Sequence, residues 1–177
     1  MKTLAVVLGW MLVAGLVPLA GCTLAPRGVT PVESFELERY LGRWYEIARL
    51  DHRFERGLSR VTADYSRRPD GGIRVVNRGY HAGKGEWRQV EGRAYPLGSL
   101  SQGSLKVSFF WPFYGGYHVI ALDRQDYGYA LVSGPSRGYL WILSRTPSLD
   151  AEITRQLVAE ARGLGFATEE LIFVDQE

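Results

Sequence analysis

The chain has 177 residues, the length of one domain with at most a short appendage. Its 21 Lys+Arg and 19 Asp+Glu leave a formal net charge of +2, too balanced for the basic face that nucleic-acid binding needs. Hydrophobic residues make up 46%, enough for a packed core, and a single cysteine excludes an internal disulfide or a multi-thiolate metal site.

Met1 to Gly21 place Lys2 ahead of an apolar run from Leu4 to Val17, then Pro18 and small residues. That is the layout of a secretory signal peptide. A membrane-spanning helix is the alternative. The run is near the lower limit for crossing, roughly 17–25 residues, and Pro18 and the small residues favour cleavage. Leu19-Ala20-Gly21-Cys22 resembles a bacterial lipobox. The resemblance implies cleavage before Cys22 and acylation of its sulfur and its new amino group. Two acyl chains anchor stably where one is marginal. Thr23 follows Cys22 where inner-membrane retention would have Asp, so the resemblance implies the outer membrane. A free thiol in an ordinary secreted protein is the other reading. From Cys22 to Ser34 the chain carries Pro26, Gly28 and Pro31 without periodicity and reads as a tether. The folded domain is expected over residues 35–177.

From Gly42 onward, short strands alternate with turn signals. The candidates are 43–51, 58–67, 72–81, 86–96, 103–110, 117–122, 129–133 and 139–144. Between them lie breaker-rich stretches such as Arg68-Pro69-Asp70-Gly71-Gly72, Gly83-Lys84-Gly85 and Pro112 to Gly116. No long helix intervenes, so consecutive strands should pair antiparallel. The expected fold is all-β: an eight-stranded antiparallel up-and-down barrel, with room inside for side chains or one small ligand. One helix follows, with Ser148 as its predicted N-cap and Asp150 and Glu152 in its first turn. Leu149, Ile153, Leu157, Ala161 and Leu164 form one apolar stripe, so it should pack outside the barrel. Gly163 and Gly165 end it. Leu171 to Val174 reads as a short final strand at an edge.

Three sequence elements resemble the signature of the lipocalin family: Gly42-Arg43-Trp44-Tyr45, Tyr129-Ala130-Leu131-Val132, and Leu140 to Arg145. They match in order and spacing across residues 40–170. Gly42 to Arg49, Leu105 to Phe110 and Leu140 to Pro147 are most similar to the lipid-anchored bacterial and apolipoprotein D-like members. The resemblance implies that Trp44 plugs the closed end of the barrel and that Arg145 lies over it as a cation–π lid. Gly42, Trp44 and Arg145 would then specify the fold and not contact ligand. Animal members fasten their loops and C-terminus with disulfides; here packing alone must do so.

Strand alternation sorts the faces. Counting back from Arg145 places Leu143, Trp141 and Tyr139 inside. The less charged face of each other strand gives Val61, Ala63 and Tyr65; Ile73, Val75, Asn77 and Gly79; Val90, Gly92 and Ala94; Leu105, Val107 and Phe109; Tyr117, Val119 and Ala121. Several are too small to fill a barrel. The reading is an apolar cavity with Tyr65, Asn77, Val90, Phe109, Tyr117, Tyr139 and Trp141 as its candidate ligand-binding walls. A core filled by large residues from opposite strands is the alternative. The odd-numbered hairpins fall at the open mouth, with His52, Arg53, His81, Phe113 and Tyr114 as candidate rim residues. The rim charges could meet an anionic head group or simply be solvated loop charge. The aromatics could gate the pocket, dock on a bilayer, or form a homodimer contact.

No catalytic or metal constellation is visible. His52, His81 and His118 are scattered without zinc-ligand spacing, and no nucleophile elbow or phosphate loop occurs. No metal or cofactor is expected. The resemblance implies a non-enzymatic carrier of fatty acids or lysophospholipids in envelope maintenance. A structural or interaction lipoprotein with a filled barrel is the alternative, and a barrel enzyme a more distant one.

Overall fold

The computed structural model describes residues 23–177; the predicted leader and Cys22 lie outside the described residues. After a single-turn helix α1 (Leu37–Tyr40) come eight strands. They are β1 (Gly42–Arg49), β2 (Leu58–Arg67), β3 (Ile73–His81), β4 (Glu86–Pro96), β5 (Ser104–Phe110), β6 (Phe113–Leu122), β7 (Tyr129–Ser133) and β8 (Leu140–Ser144). Helix α2 (Ala151–Gly163) and the short β9 (Ile172–Phe173) complete the chain. Neighbours in sequence pair antiparallel, and β1 pairs with both β2 and β8, which closes the barrel.

The largest departure from the strand boundaries read in sequence is at β6, which begins at Phe113 and not at 117. Gly115 and Gly116 look like turn residues but lie in the strand. A Cβ on Gly116 would come within 2.8 Å of the Thr23 carbonyl oxygen, so glycine here admits a crossing backbone. The same contact revises the tether. Val29 is buried, Val32 donates its N–H to the Val119 carbonyl, and the Val32 carbonyl accepts from Gly103. Pro26, Val29 and Val32 pack on the sheet, while Leu24, Arg27, Gly28, Thr30, Glu33 and Ser34 are exposed.

The interior cluster holds Trp44, Tyr65, Ile73, Val75, Ala94, Leu105, Val119, Val132 and Leu143. A second cluster outside joins Leu131, Leu140 and Ile142 to Leu157, Ala161 and Phe166 around α2. The helix therefore buries its predicted stripe on the outer wall. Its N-cap is Asp150 and not Ser148: the Asp150 carboxylate accepts the Glu152 and Ile153 N–H groups at 2.8 and 3.2 Å. Its end is a Schellman motif, in which Phe166 donates to the Ala161 carbonyl, Gly165 donates to that of Arg162, and Gly165 takes φ +82°. Asp150→Ala should lower stability by about 1 kcal/mol in urea titrations, while Ser148→Ala should leave it within about 0.5 kcal/mol.

β1 leaves β2 after Tyr45, and β9 takes the vacated edge at Ala48 and Arg49. The Gln176 side-chain amide then donates to the carbonyls of Glu46 and Val61, stitching the C-terminus between the two strands. This is how packing and hydrogen bonds fasten the C-terminus where no disulfide is available.

Candidate functional site

At the closed end the Arg145 guanidinium sits 3.9 Å from the Trp44 ring centroid. Its two terminal nitrogens donate to the carbonyls of Arg43 and Arg39, at 2.8 and 2.7 Å. Trp44 is fully buried and donates its indole N–H to the Tyr40 carbonyl. Gly42 adopts φ +96°, and a Cβ there would lie 3.3 Å from the Arg145 guanidinium. The three signature residues are thus one plug, in which glycine frees the turn and the approach of the arginine.

Above the plug, Tyr40 and Tyr117 share a 2.6 Å hydroxyl contact, and Tyr65 donates to Tyr117 at 3.0 Å. Burial raises the pKa of all three phenols, so they remain neutral donors and acceptors. Tyr65 and Tyr117, expected as cavity walls, therefore form a polar floor that is already hydrogen-bonded within itself.

Above the floor Asn77, Val107, Phe109 and Trp141 are only partly buried and Val90 is 38% exposed, whereas Val61 stays buried. Val90 faces inward opposite Asn77. β4 meets β5 only from Arg93 to Pro96, so the mouth half of β4 is paired with β3 alone. The inward side chains are closely covered at the floor and partly reached by solvent above it. Asn77 turns an amide oxygen into the interior that is buried and has no hydrogen-bond partner.

Two glycines counted as empty space are not empty. A Cβ on Gly92 would lie 2.7 Å from the Phe109 ring, and one on Gly79 would lie 3.1 Å from Leu58 and Val61. Neighbouring side chains use that room. Ala121 is displaced as well. A bulge after Val119 reverses the alternation, so Ala121 packs in the outer cluster and Leu122 turns inward.

The mouth differs most from the linear reading. His52 is buried and not a rim charge, with its Nε2 2.8 Å from a Glu55 carboxylate oxygen. Its ring packs edge-on to Trp141 and tilted against Tyr139, and those two stack on each other. Trp141 donates its indole N–H to the same Glu55 oxygen at 3.0 Å. Arg53 is exposed and covers the Phe54 ring, and Phe113 is 71% exposed at the hairpin tip. His81 is half-buried at the end of β3. Tyr114 is on the outer wall against Tyr95 and Lys106, because it alternates with the inward Gly115 and Tyr117.

Two residues of this site were not singled out from sequence. Glu46 and Arg49 are buried in the barrel and paired at 2.6 Å. Arg49 also donates to the carbonyls of Glu55 and Leu58. Alternation from Trp44 points to Glu46, and that signal was present. It puts Arg49 outside, but a bulge between Glu46 and Ala48 turns it in. Burial and the nearby Glu55 raise the Glu46 carboxyl well above its usual range. Burial also pushes Glu55 up, but His52, Trp141 and Arg49 outweigh it, and its pKa is lowered. The result is a hydrogen-bonded polar cluster on one side of an otherwise largely apolar interior.

A closed eight-stranded barrel with an outer helix and an aromatic plug under an arginine defines a lipocalin. Residues 35–176 match the lipocalin-like domain family, and the chain belongs to it. Among its relatives is the outer membrane lipoprotein Blc of Escherichia coli, 56% identical over 163 residues, 92% of each chain. Its counterpart in Vibrio cholerae is 55% identical over 90% of this chain and 93% of the relative. Bovine apolipoprotein D is 33% identical over 81% and 78%. Insecticyanin from the tobacco hornworm shares the fold, with a TM-score of 0.68 at 22% identity over 86% of each chain.

Proposed function

We propose that this protein is an outer-membrane lipoprotein, acylated at Cys22, that holds one fatty acid or lysophospholipid in its barrel and catalyses nothing. The observation that carries this reading is the gradient of exposure along the inward faces. The lower side chains are sealed, while Val90, Phe109 and Trp141 remain reachable. A barrel interior of this character suits an apolar tail, and a few polar groups at its wall suit a head group. The unpaired Asn77 amide oxygen and the Tyr139–Trp141–His52 cluster are the groups a ligand would meet. The relatives named as outer membrane lipoproteins support the location, and the lipobox supports the anchor. Holding lipid at that membrane fits a part in envelope maintenance.

Phe109 over Gly92, and Leu58 and Val61 over Gly79, favour a second reading: a structural or interaction lipoprotein with a filled barrel. Native mass spectrometry of delipidated, re-exposed protein separates the two. A one-to-one adduct with a fatty acid or lysophospholipid is expected. Failure to take up lipid of any chain length would overturn the carrier reading in favour of the filled barrel.

A further inference from the structure

The ladder between β4 and β5 ends at Arg93 and Ser108. On its other side the same hairpin joins β7 only from His118 onward. No ladder therefore ties the upper β5–β6 hairpin, Phe109 to Gly116, to a strand outside it. Beside β4 this leaves a slit. Gly92 brings no side chain to it, and the Phe109 ring fills the space, 2.7 Å from where a Cβ would stand. Phe109 packs against the interior cluster and also lines a groove of about 220 Å³ on the outer face of the wall. One ring is thus in touch with both sides of the barrel.

The groove suits a negative charge. Its acid, Glu91, is held by Arg74 at 2.6 Å, and its Arg68 by Asp70 at 3.0 Å. Arg93, half-buried in the same groove, has no ion pair among the described residues. Its strand partner Ser108 is 3% exposed, and the Ser108 hydroxyl is buried without a hydrogen-bond partner. Buried hydroxyls rarely stay unpaired, and a guanidinium on the paired residue selects an anion as the missing partner. Trp111, 71% exposed, borders the groove with an apolar surface. Resting on the reading that the barrel holds a single-chain lipid, we infer that this slit is a lateral entrance for it. Arg93 and the Ser108 hydroxyl receive the carboxylate or phosphate head group. Phe109 swings aside, and the tail passes between β4 and β5 into the interior.

The test follows uptake and release of a fluorescent fatty acid, and of the fatty alcohol with the same chain, by stopped-flow fluorescence. It uses the mature acylated protein in phosphatidylcholine nanodiscs, with empty nanodiscs subtracted. Arg93→Gln should slow uptake and release of the acid severalfold and by the same factor, because an entrance lowers the barrier in both directions. The alcohol should keep its wild-type rates. Added salt should slow uptake of the acid by wild type towards the rate of the variant. Phe109→Ala, which widens the slit, should speed uptake of both ligands. Acid uptake at the wild-type rate in Arg93→Gln, or a slowing shared equally by acid and alcohol, would overturn the entrance and leave the carrier reading standing. A change confined to release would place Arg93 at the bound head group and also overturn the entrance, as would Phe109→Ala that speeds neither ligand. Wild-type protein that takes up neither ligand would overturn the carrier reading, and the entrance with it.

Discussion

Trp44→Ala is expected to destabilise the domain by about 3–5 kcal/mol in urea titrations, the range for emptying a large buried aromatic site. Two further losses act in the same direction. Arg145 loses its cation–π partner, worth roughly 0.5–2 kcal/mol, and the Tyr40 carbonyl loses its indole donor. Trp141→Ala should behave differently. Trp141 is only partly buried, and its neighbours Tyr139 and His52 are at the solvent-reached end. Its removal should cost less than half as much stability, yet weaken binding of a fluorescent fatty acid by about tenfold, equivalent to ~1.4 kcal/mol. Equal effects on folding and on binding from both variants would show that floor and mouth are assigned wrongly.

Arg49→Met is the second large effect. It removes the only cation paired with Glu46 among the described residues and frees two backbone carbonyls. Breaking a buried pair from one side typically costs about 3–5 kcal/mol, because the remaining charge has no solvent. The double variant Glu46→Gln/Arg49→Met should recover much of that loss, since the penalty belongs to the stranded carboxylate. The pH dependence has a definite sign. Burial and Glu55 raise the pKa of Glu46 in the folded state. Its contribution to stability is therefore intact below the unfolded value of 4.5 and declines as pH rises through the higher folded value. Glu55, lowered in the fold, acts oppositely, losing its contribution as pH falls. The difference in stability between wild type and Glu46→Gln isolates the first effect. It should move against wild type as pH rises above about 4.5, and a difference independent of pH would reject it.

The barrel was legible because its determinants are local. Period-two alternation with glycine-rich punctuation gave all eight strands, and an apolar stripe gave the outer helix. Gly42, Trp44 and Arg145 came from a sequence signature, and the structure shows the contacts behind it. The inward faces of the strands were legible only in part. Tyr65, Asn77, Val90, Phe109, Tyr117 and Trp141 face inward as alternation predicts. Arg49 and Ala121 do not follow it, because each comes after a bulge that inserts one residue and flips every later side chain. Counting glycines as empty volume failed for a related reason. A glycine removes its own side chain, but whether the space stays open depends on the strand opposite, as Phe109 over Gly92 demonstrates.

The sequence by itself therefore determined the class of fold, the residues of its plug and the expectation of a lipid anchor at its sole cysteine. These depend on residue type at fixed spacing, which a linear chain displays. Only the tertiary structure decided that His52 is drawn inside to Glu55, that Glu46 and Arg49 form a buried pair, and that Val29 and Val32 of the N-terminal segment pack against the barrel. These depend on bulges that reset strand parity, on a loop that folds inward and on backbone crossings, none of which a linear pattern displays.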